Sequence, residues 1–188
     1  MTDTASETGR EGLVDQAASQ VQGAAASAQE KAVELKAQGR IKAIGAGMNQ
    51  WEMLARFAEV GEFDCFILAG RWTLLDRSGA EVLLPLCAEK GISVIAAGVY
   101  QSGLLADPRP GVSDNYAPVH ADRLKRALEL QAICAEHGVP LRAAAVQFPF
   151  SHPAVTSVIV GARTPEEVDD AVEMMSHPIP EALWERLR

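Results

Sequence analysis

The sequence predicts an α/β protein in which four parallel strand and helix units follow a long N-terminal helix. Three observations predict it. From Arg40 onward, short apolar and β-branched runs alternate four times with longer amphipathic stretches, the pattern of a parallel sheet joined by right-handed crossovers. Glycines punctuate that pattern, with Gly47, Gly98 and Gly161 closing strands and Gly91 and Gly138 stopping helices. Before Arg40 the composition is different in kind, rich in Ala, Gln, Glu and Lys and free of proline.

In residues 1–40, Glu11 to Gln38 favours helix, with Val14, Val21, Ala28 and Leu35 recurring every seven residues and alanines between them. Alanine buries little area, so this thin stripe gains only a few kcal/mol at most by docking. Its plainest reading is a solvated helix without chemistry. Lys31 and Lys36 are matched by Glu30 and Glu34, which disfavours a membrane surface.

The remaining span, residues 41–188, forms the second region. Ile41 to Ala46 reads as the first strand, closed by Gly47, and Trp51 to Val60 as a helix with Trp51, Leu54, Ala55 and Ala58 on one face. Phe63 to Leu68 is the second strand, and Gly79 to Lys90 its helix, stopped by Gly91. Ser93 to Ala97 is the third strand. A polar insertion with Pro108, Pro110 and Pro118 leads to a helix from Ala121 to His137, and Pro140 begins a further helix through Gln147. The fourth strand is Val155 to Val160, its helix runs to about Met175, and Ile179-Pro180 leads into a short helix holding Trp184.

At 188 residues with 48% apolar content, the chain is long enough for one domain with a real core and an appendage. A net charge of −8 without a basic, aromatic-laced patch argues against nucleic acid as a partner. No apolar run approaches a membrane span and Met1 to Arg10 lacks signal-peptide features, so a soluble, cytoplasmic protein is expected. Cys65, Cys87 and Cys134 are odd in number and widely spaced among apolar residues, reading as reduced core thiols rather than a metal site, with a catalytic thiol as the alternative.

The last strand and helix carry the strongest local signal. Val155 to Val160 stops at Gly161, and Thr164-Pro165-Glu166-Glu167 supplies an N-cap, a proline at the first helical position and acids in the first turn. A helix N-terminus just beyond a strand offers backbone N–H groups and a partial positive charge to an anion such as phosphate. Every βα unit has such a junction, so an ordinary crossover is the competing reading, and phosphate binding without nicotinamide a third. The dinucleotide fingerprint G-x-G-x-x-G fails after the first strand, where Gln50 stands in place of the third glycine. A second Gly/Ser-rich turn, Gly98 to Gly103, follows the third strand, and phosphate sites after the last two strands are the habit of the (β/α)8 barrel.

Several stretches carry a name. Ile44 to Gln50 (IGAGMNQ), Phe63 to Leu75 (FDCFILAGRWTLL), Ser102 to Leu105, Asn115 to Pro118, Val139 to Phe148 (VPLRAAAVQF) and Gly161 to Thr164 with Glu167 resemble, in this order and spacing, the C-terminal half of an aldo-keto reductase. The resemblance is closest to the branch acting on sugars such as fucose and threo-aldoses or on pyridoxal. It covers about three quarters of the chain. It implies the C-terminal half of a (β/α)8 TIM barrel and an oxidoreductase moving hydride between NAD or NADP and an aldehyde, ketone or sugar, without metal. The N-terminal segment loosely resembles the Ala-rich helices of stress-associated and late-embryogenesis-type proteins.

By that resemblance Asn49 falls where the family's asparagine bonds the nicotinamide carboxamide, with Met48 in place of the adjacent serine. Ala69 stands where many relatives hold a glutamine, and Ala97 where many hold a stacking tyrosine, each loss weakening cofactor grip by roughly a kcal/mol or two. Gly98, Val99, Tyr100, Ser102 and Gly103 would follow the pyrophosphate, while Gly161, Ala162 and Arg163 would approach the adenosine phosphate end. Glu167 sits where NADP-preferring relatives often place a cation, and a carboxylate there repels a 2′-phosphate, favouring NAD unless Arg163 compensates. The family's catalytic aspartate, tyrosine, lysine and histidine come from the first four barrel strands, which these residues do not match. His120, His137, His152 and His177 lie in loops or at helix ends, and neither Tyr100 nor Tyr116 has a suitably placed lysine. The expectation is an incomplete enzyme holding the cofactor half, completed by an N-terminal half from another chain or by self-association. The alternative is a non-catalytic remnant or interaction module in which the N-terminal helix is the working element.

Overall fold

The computed structural model describes residues 30–114 and 117–187. The chain divides into two compact units, Met1–Ile44 and Gly45–Arg188. Within the first, residues 30–37 are helical (α1), with Ala32 and Leu35 partly covered and Lys31 paired to Glu34 at 2.6 Å. The helix ends at Gly39, which takes φ +69° while the Arg40 N–H donates to the Leu35 carbonyl at 2.9 Å. The expected helix from Glu11 lies outside the described residues as far as residue 29, as do Asn115 and Tyr116.

The second unit carries β1 (Gly45–Met48), α2 (Trp51–Val60), β2 (Cys65–Ala69), α3 (Leu83–Lys90) and β3 (Ser93–Ala97). After them come a two-stranded hairpin of β4 (Ser113–Asp114) and β5 (Ala117–Pro118), then α4 (Ala121–Glu136) and α5 (Leu141–Gln147). A 3-10 turn over Phe148–Ser151, β6 (Val155–Ile159), α6 (Pro165–Ser176) and α7 (Glu181–Leu187) complete the unit. The main sheet has the order β1-β2-β3-β6, all parallel, as the alternation of apolar runs and helices predicts. Along β2 and β3 alternate residues are buried, with Phe66, Leu68, Val94 and Ala96 forming the core with Leu54, Leu83, Leu84 and Leu130.

Three of these elements begin elsewhere than the sequence predicts. The first strand is Gly45–Met48 rather than Ile41–Ala46, and Gly47 lies inside it. Both glycines serve close approach: a Cβ on Gly45 would sit 2.6 Å from the Cys65 carbonyl oxygen, and one on Gly47 3.2 Å from the Ile67 Cβ. The third helix begins at Leu83 instead of Gly79: the Gly79 N–H donates to the Arg71 carbonyl at 3.0 Å and the Ala80 N–H to the Arg77 carbonyl at 3.0 Å, and the loop just before them is held by side chains. Thr73 Oγ1 accepts from the N–H groups of Leu75 and Asp76, and the Asp76 carboxylate accepts from the Ser78 N–H and hydroxyl, an arrangement that competes with helix. Phe63 precedes β2 rather than opening it, because its ring packs on Phe57 and Phe66 with centroids 5.8 and 5.2 Å apart. The β4/β5 hairpin and the Phe148–Ser151 turn have no counterpart in the expected elements.

Candidate functional site

Parallel strands bring their C-terminal ends to one edge of the sheet, and the loops leaving that edge carry the predicted site residues. After β3 the chain turns through Gly98 at φ +64°, Gln101 at +47°, Ser102 at +54° and Gly103 at +97°. Left-handed backbone at non-glycine residues costs about 1–2 kcal/mol each. Bonds from the Gln101 N–H to the Gly98 carbonyl and from the Leu105 N–H to the Tyr100 carbonyl, at 2.9 and 3.0 Å, hold this turn. After β6 the chain passes Gly161, where a Cβ would meet nothing within 4 Å, and enters α6.

These two turns open into one cleft of ≈ 1160 Å³. Gly98, Val99, Tyr100, Ser102, Gly103, Gly161, Ala162, Arg163 and Glu167 all line it. Asn49 does not; it stands beyond the C-terminal end of β1, where its carbonyl accepts from Arg71 Nε at 3.1 Å. Arg71 also pairs with Asp76 at 3.0 Å, so the loop before α3 braces the turn that carries Asn49. Burial alone would raise the Asp76 carboxyl, but hydrogen bonds from Ser78 and the Arg71 charge hold it below its ordinary 3.8. A depressed carboxyl contributes stability above its unfolded pKa and loses it as pH falls through the folded one. Asp76→Asn is therefore expected to lower the urea midpoint at neutral pH, and the gap from wild type should close as pH drops below the carboxylate range.

The N-terminus of α6 is less bare than its sequence suggests. Thr164 Oγ1 accepts from the Glu167 N–H at 3.3 Å, and the Glu167 carboxylate accepts from the Arg163 N–H and guanidinium, both at 2.7 Å. Those same bonds from Arg163 hold the Glu167 carboxyl below its ordinary range. Ion pairs are the rule in this cleft: Arg109 meets Asp107 at 2.8 Å, Arg142 meets Asp170 at 2.9 Å, and Arg163 meets Glu167 at 2.7 Å. The Arg142 and Asp170 pair was not among the predicted site residues. Asp170 follows Glu167 by three positions on α6, so one helix face presents both acids, but the arrival of Arg142 from α5 is a tertiary event without a local signal. Among the described residues the Tyr100 hydroxyl is buried without a hydrogen-bond partner, and burial, reinforced by Asp170, pushes its pKa up.

A model of the aldo/keto reductase family matches residues 27–188. The chain belongs to the aldo/keto reductase family. It is 42% identical over 156 residues to pyridoxal 4-dehydrogenase of Microbacterium luteolum, covering 82% of this chain and 46% of that protein. It is 37% identical over 156 residues to D-threo-aldose 1-dehydrogenase of a Pseudomonas species, covering 82% of this chain and 47% of the relative. A third relative, at 26% identity over 156 residues, is the NADH-specific methylglyoxal reductase of Escherichia coli strain K12, with 76% of this chain and 46% of that protein covered. The chain thus spans about half the length of the curated relatives it matches. In fold it is similar to the holo form of aldo-keto reductase AKR11C1 from Bacillus halodurans, with a TM-score of 0.66, 23% identity, and 85% of this chain and 53% of that chain covered. The four parallel strands are thus part of an aldo/keto reductase TIM barrel.

Family members use NAD(P)H, and the cleft suits such a group on its own geometry. It is roomy for a ligand site, typically about 300–1,000 Å³. Its turns present glycine backbone at Gly98, Gly103 and Gly161, and its wall carries a buried hydroxyl with no acceptor. Among the described residues no group of three or more His, Cys, Asp or Glu could hold a metal ion, and no helix is long and apolar enough to cross a membrane. Cys87 and Cys134 are buried, which pushes their thiols up to about 11, away from thiolate chemistry.

Proposed function

We propose that this chain supplies the nucleotide-holding side of an NAD(P)-linked oxidoreductase acting on a small aldehyde, ketone or sugar. The observation that carries this reading is the meeting of the Gly98–Gly103 turn and the Gly161–Arg163 turn in one cleft. The relatives' names, pyridoxal 4-dehydrogenase and D-threo-aldose 1-dehydrogenase, support a carbonyl or sugar substrate. The bound cofactor would supply hydride. Gly98, Val99, Tyr100, Ser102 and Gly103 would hold its pyrophosphate, Gly161, Ala162, Arg163 and Glu167 its adenosine end, and Asn49 its amide end.

NAD is the better fit than NADP. Each arginine lining the cleft already has a carboxylate partner, so a 2′-phosphate would have to displace Glu167 from Arg163 or meet its negative charge directly. The NADH-specific relative supports the same preference. This chain's residues provide the grip and not the proton. No lysine lines the cleft to lower a phenol, and the Tyr100 pKa is pushed the wrong way for an acid at neutral pH. The proton donor would come from another polypeptide segment.

Fluorescence of Trp51, Trp72 and Trp184 tests this reading. NADH is expected to quench it saturably and NADPH more weakly, with no turnover of pyridoxal or threo-aldoses by the chain alone. Gly161→Asp, which adds a carboxylate where space is open, should weaken NADH binding at least about tenfold. Absence of quenching would leave the non-catalytic interaction module as the surviving reading.

A further inference from the structure

We propose that Arg71 is a positioning residue for the cofactor's amide end: its guanidinium holds the turn that carries Asn49, so that affinity for the nicotinamide half, and not for the adenosine half, depends on it. The proposal rests on the reading of Asn49 given above. Asn49 stands outside the cleft that the Gly98–Gly103 and Gly161–Arg163 turns form, so those turns do not hold it. Its own neighbourhood provides little support. Helix α2 starts at Gln50 without a side-chain cap, and among the described residues the Asn49 side-chain amide has no hydrogen-bond partner. An amide left open in this way can meet a ligand, but grips it well only if the backbone beneath is fixed beforehand.

Arg71 fixes that backbone. Its Nε donates to the Asn49 carbonyl at 3.1 Å, and its Nη1 donates to the Asp76 carboxylate at 3.0 Å. Two edges of one planar guanidinium are used at once, so the bond to Asp76 sets the plane and the plane aims Nε at Asn49. Both side chains are mostly covered, Arg71 at 27% and Asp76 at 17% exposed, where an ion pair is screened less than on the open surface. Asp76 is anchored in turn by the N–H and hydroxyl of Ser78, at 3.0 and 2.6 Å.

The loop cannot carry the guanidinium away. The Arg71 carbonyl accepts from the Gly79 N–H at 3.0 Å, and the Thr73 N–H donates to the Asp76 carbonyl at 2.8 Å. Just before Arg71, the Gly70 N–H donates to the Ala97 carbonyl at 2.8 Å, one residue ahead of Gly98. Arg71 therefore joins the Asn49 turn to the strand end from which the Gly98–Gly103 turn leaves, and holds the two grips on a dinucleotide at one spacing. Arg71 does not line the cleft itself, so its part is to place Asn49 and not to bind phosphate.

Calorimetric titration of the full chain with NADH and with ADP-ribose, which keeps the pyrophosphate and adenosine but has no amide, tests this. Asn49→Ala and Arg71→Met are each expected to weaken NADH binding about five- to tenfold and to leave ADP-ribose within about twofold of wild type. The double variant should bind NADH no more weakly than Arg71→Met, because the two act through one contact. Should Arg71→Met fail to fold, Arg71→Lys keeps a cation beside Asp76 without the two-edged fork and is expected to show the same selective loss. Arg71 variants that bind NADH like wild type, while Asn49→Ala does not, would overturn the proposal and leave the cofactor reading standing. Equal losses for NADH and ADP-ribose, or losses that add in the double variant, would make Arg71 a brace of the fold alone. A harmless Asn49→Ala would remove the residue that Arg71 is said to position. A wild-type chain that binds neither ligand would end the cofactor reading itself, and the proposal with it.

Discussion

Phe66→Ala is expected to unfold much of the Gly45–Arg188 unit at temperatures where wild type is intact. The ring is fully buried at the centre of β2 and contacts Phe63, which stacks in turn on Phe57 of α2, so one side chain ties strand, connecting loop and helix together. Removing it costs about 3–5 kcal/mol, transfer and cavity terms together. Native domains hold about 5–15 kcal/mol in all, so a loss of this size removes a large part of the total. Urea denaturation followed by circular dichroism should show a collapsed or absent folded baseline for Phe66→Ala. Leu128→Ala, at a position 43% exposed on α4, should stay within about 0.5 kcal/mol of wild type. Equal midpoints for the two would remove Phe66 from the centre of the fold.

The elements legible in the sequence are those whose limits are set by backbone chemistry in their own few residues. Ser93–Ala97 lies between Gly91 and Gly98, both at positive φ, so its ends needed no tertiary information. The start of α6 was equally local, since Thr164 caps it and Pro165 opens it. Where expectation failed, a distant partner had intervened. Gly47 reads as a strand end, yet its missing Cβ is what allows β1 to lie beside Ile67. Residues 79–82 read as the first turn of a helix, yet the Gly79 N–H is taken by the Arg71 carbonyl, eight residues back. The cleft followed the same division. Its two glycine turns were visible as motifs, whereas Arg142 reaches Asp170 only after α5 has folded over α6, and Asn49 stands off the cleft wall. Of the helix N-terminus, the sequence shows the dipole but not that Glu167 folds back to occupy the Arg163 N–H and guanidinium.

The other large effect is expected at Gly98→Val, where stability and ligand binding should fall together. Gly98 takes φ +64°, a conformation that costs an L residue about 1–2 kcal/mol and a β-branched one more. Its surroundings leave no slack, because a Cβ there would lie 3.3 Å from the Gly70 backbone nitrogen, whose N–H donates to the Ala97 carbonyl at 2.8 Å. Gly70 is itself at φ +65°, and a Cβ on it would meet the Gln101 side-chain oxygen at 3.0 Å. The tops of β2 and β3 therefore meet as two bare backbones, and the Tyr100 to Gly103 turn is built on that meeting. Valine at Gly98 must push β2 away or unwind the left-handed turn, and either movement displaces the cleft floor. The expected result is a loss of about 2–3 kcal/mol in urea unfolding and at least about tenfold weaker quenching by NADH. Gly103→Ala is the informative comparison. Gly103 is also at positive φ, but a Cβ there would meet nothing within 4 Å, so only the conformational cost applies and the sheet is left undisturbed. If Gly98→Val lost stability while binding NADH as tightly as wild type, the turn would be a strand terminator and not part of a nucleotide site.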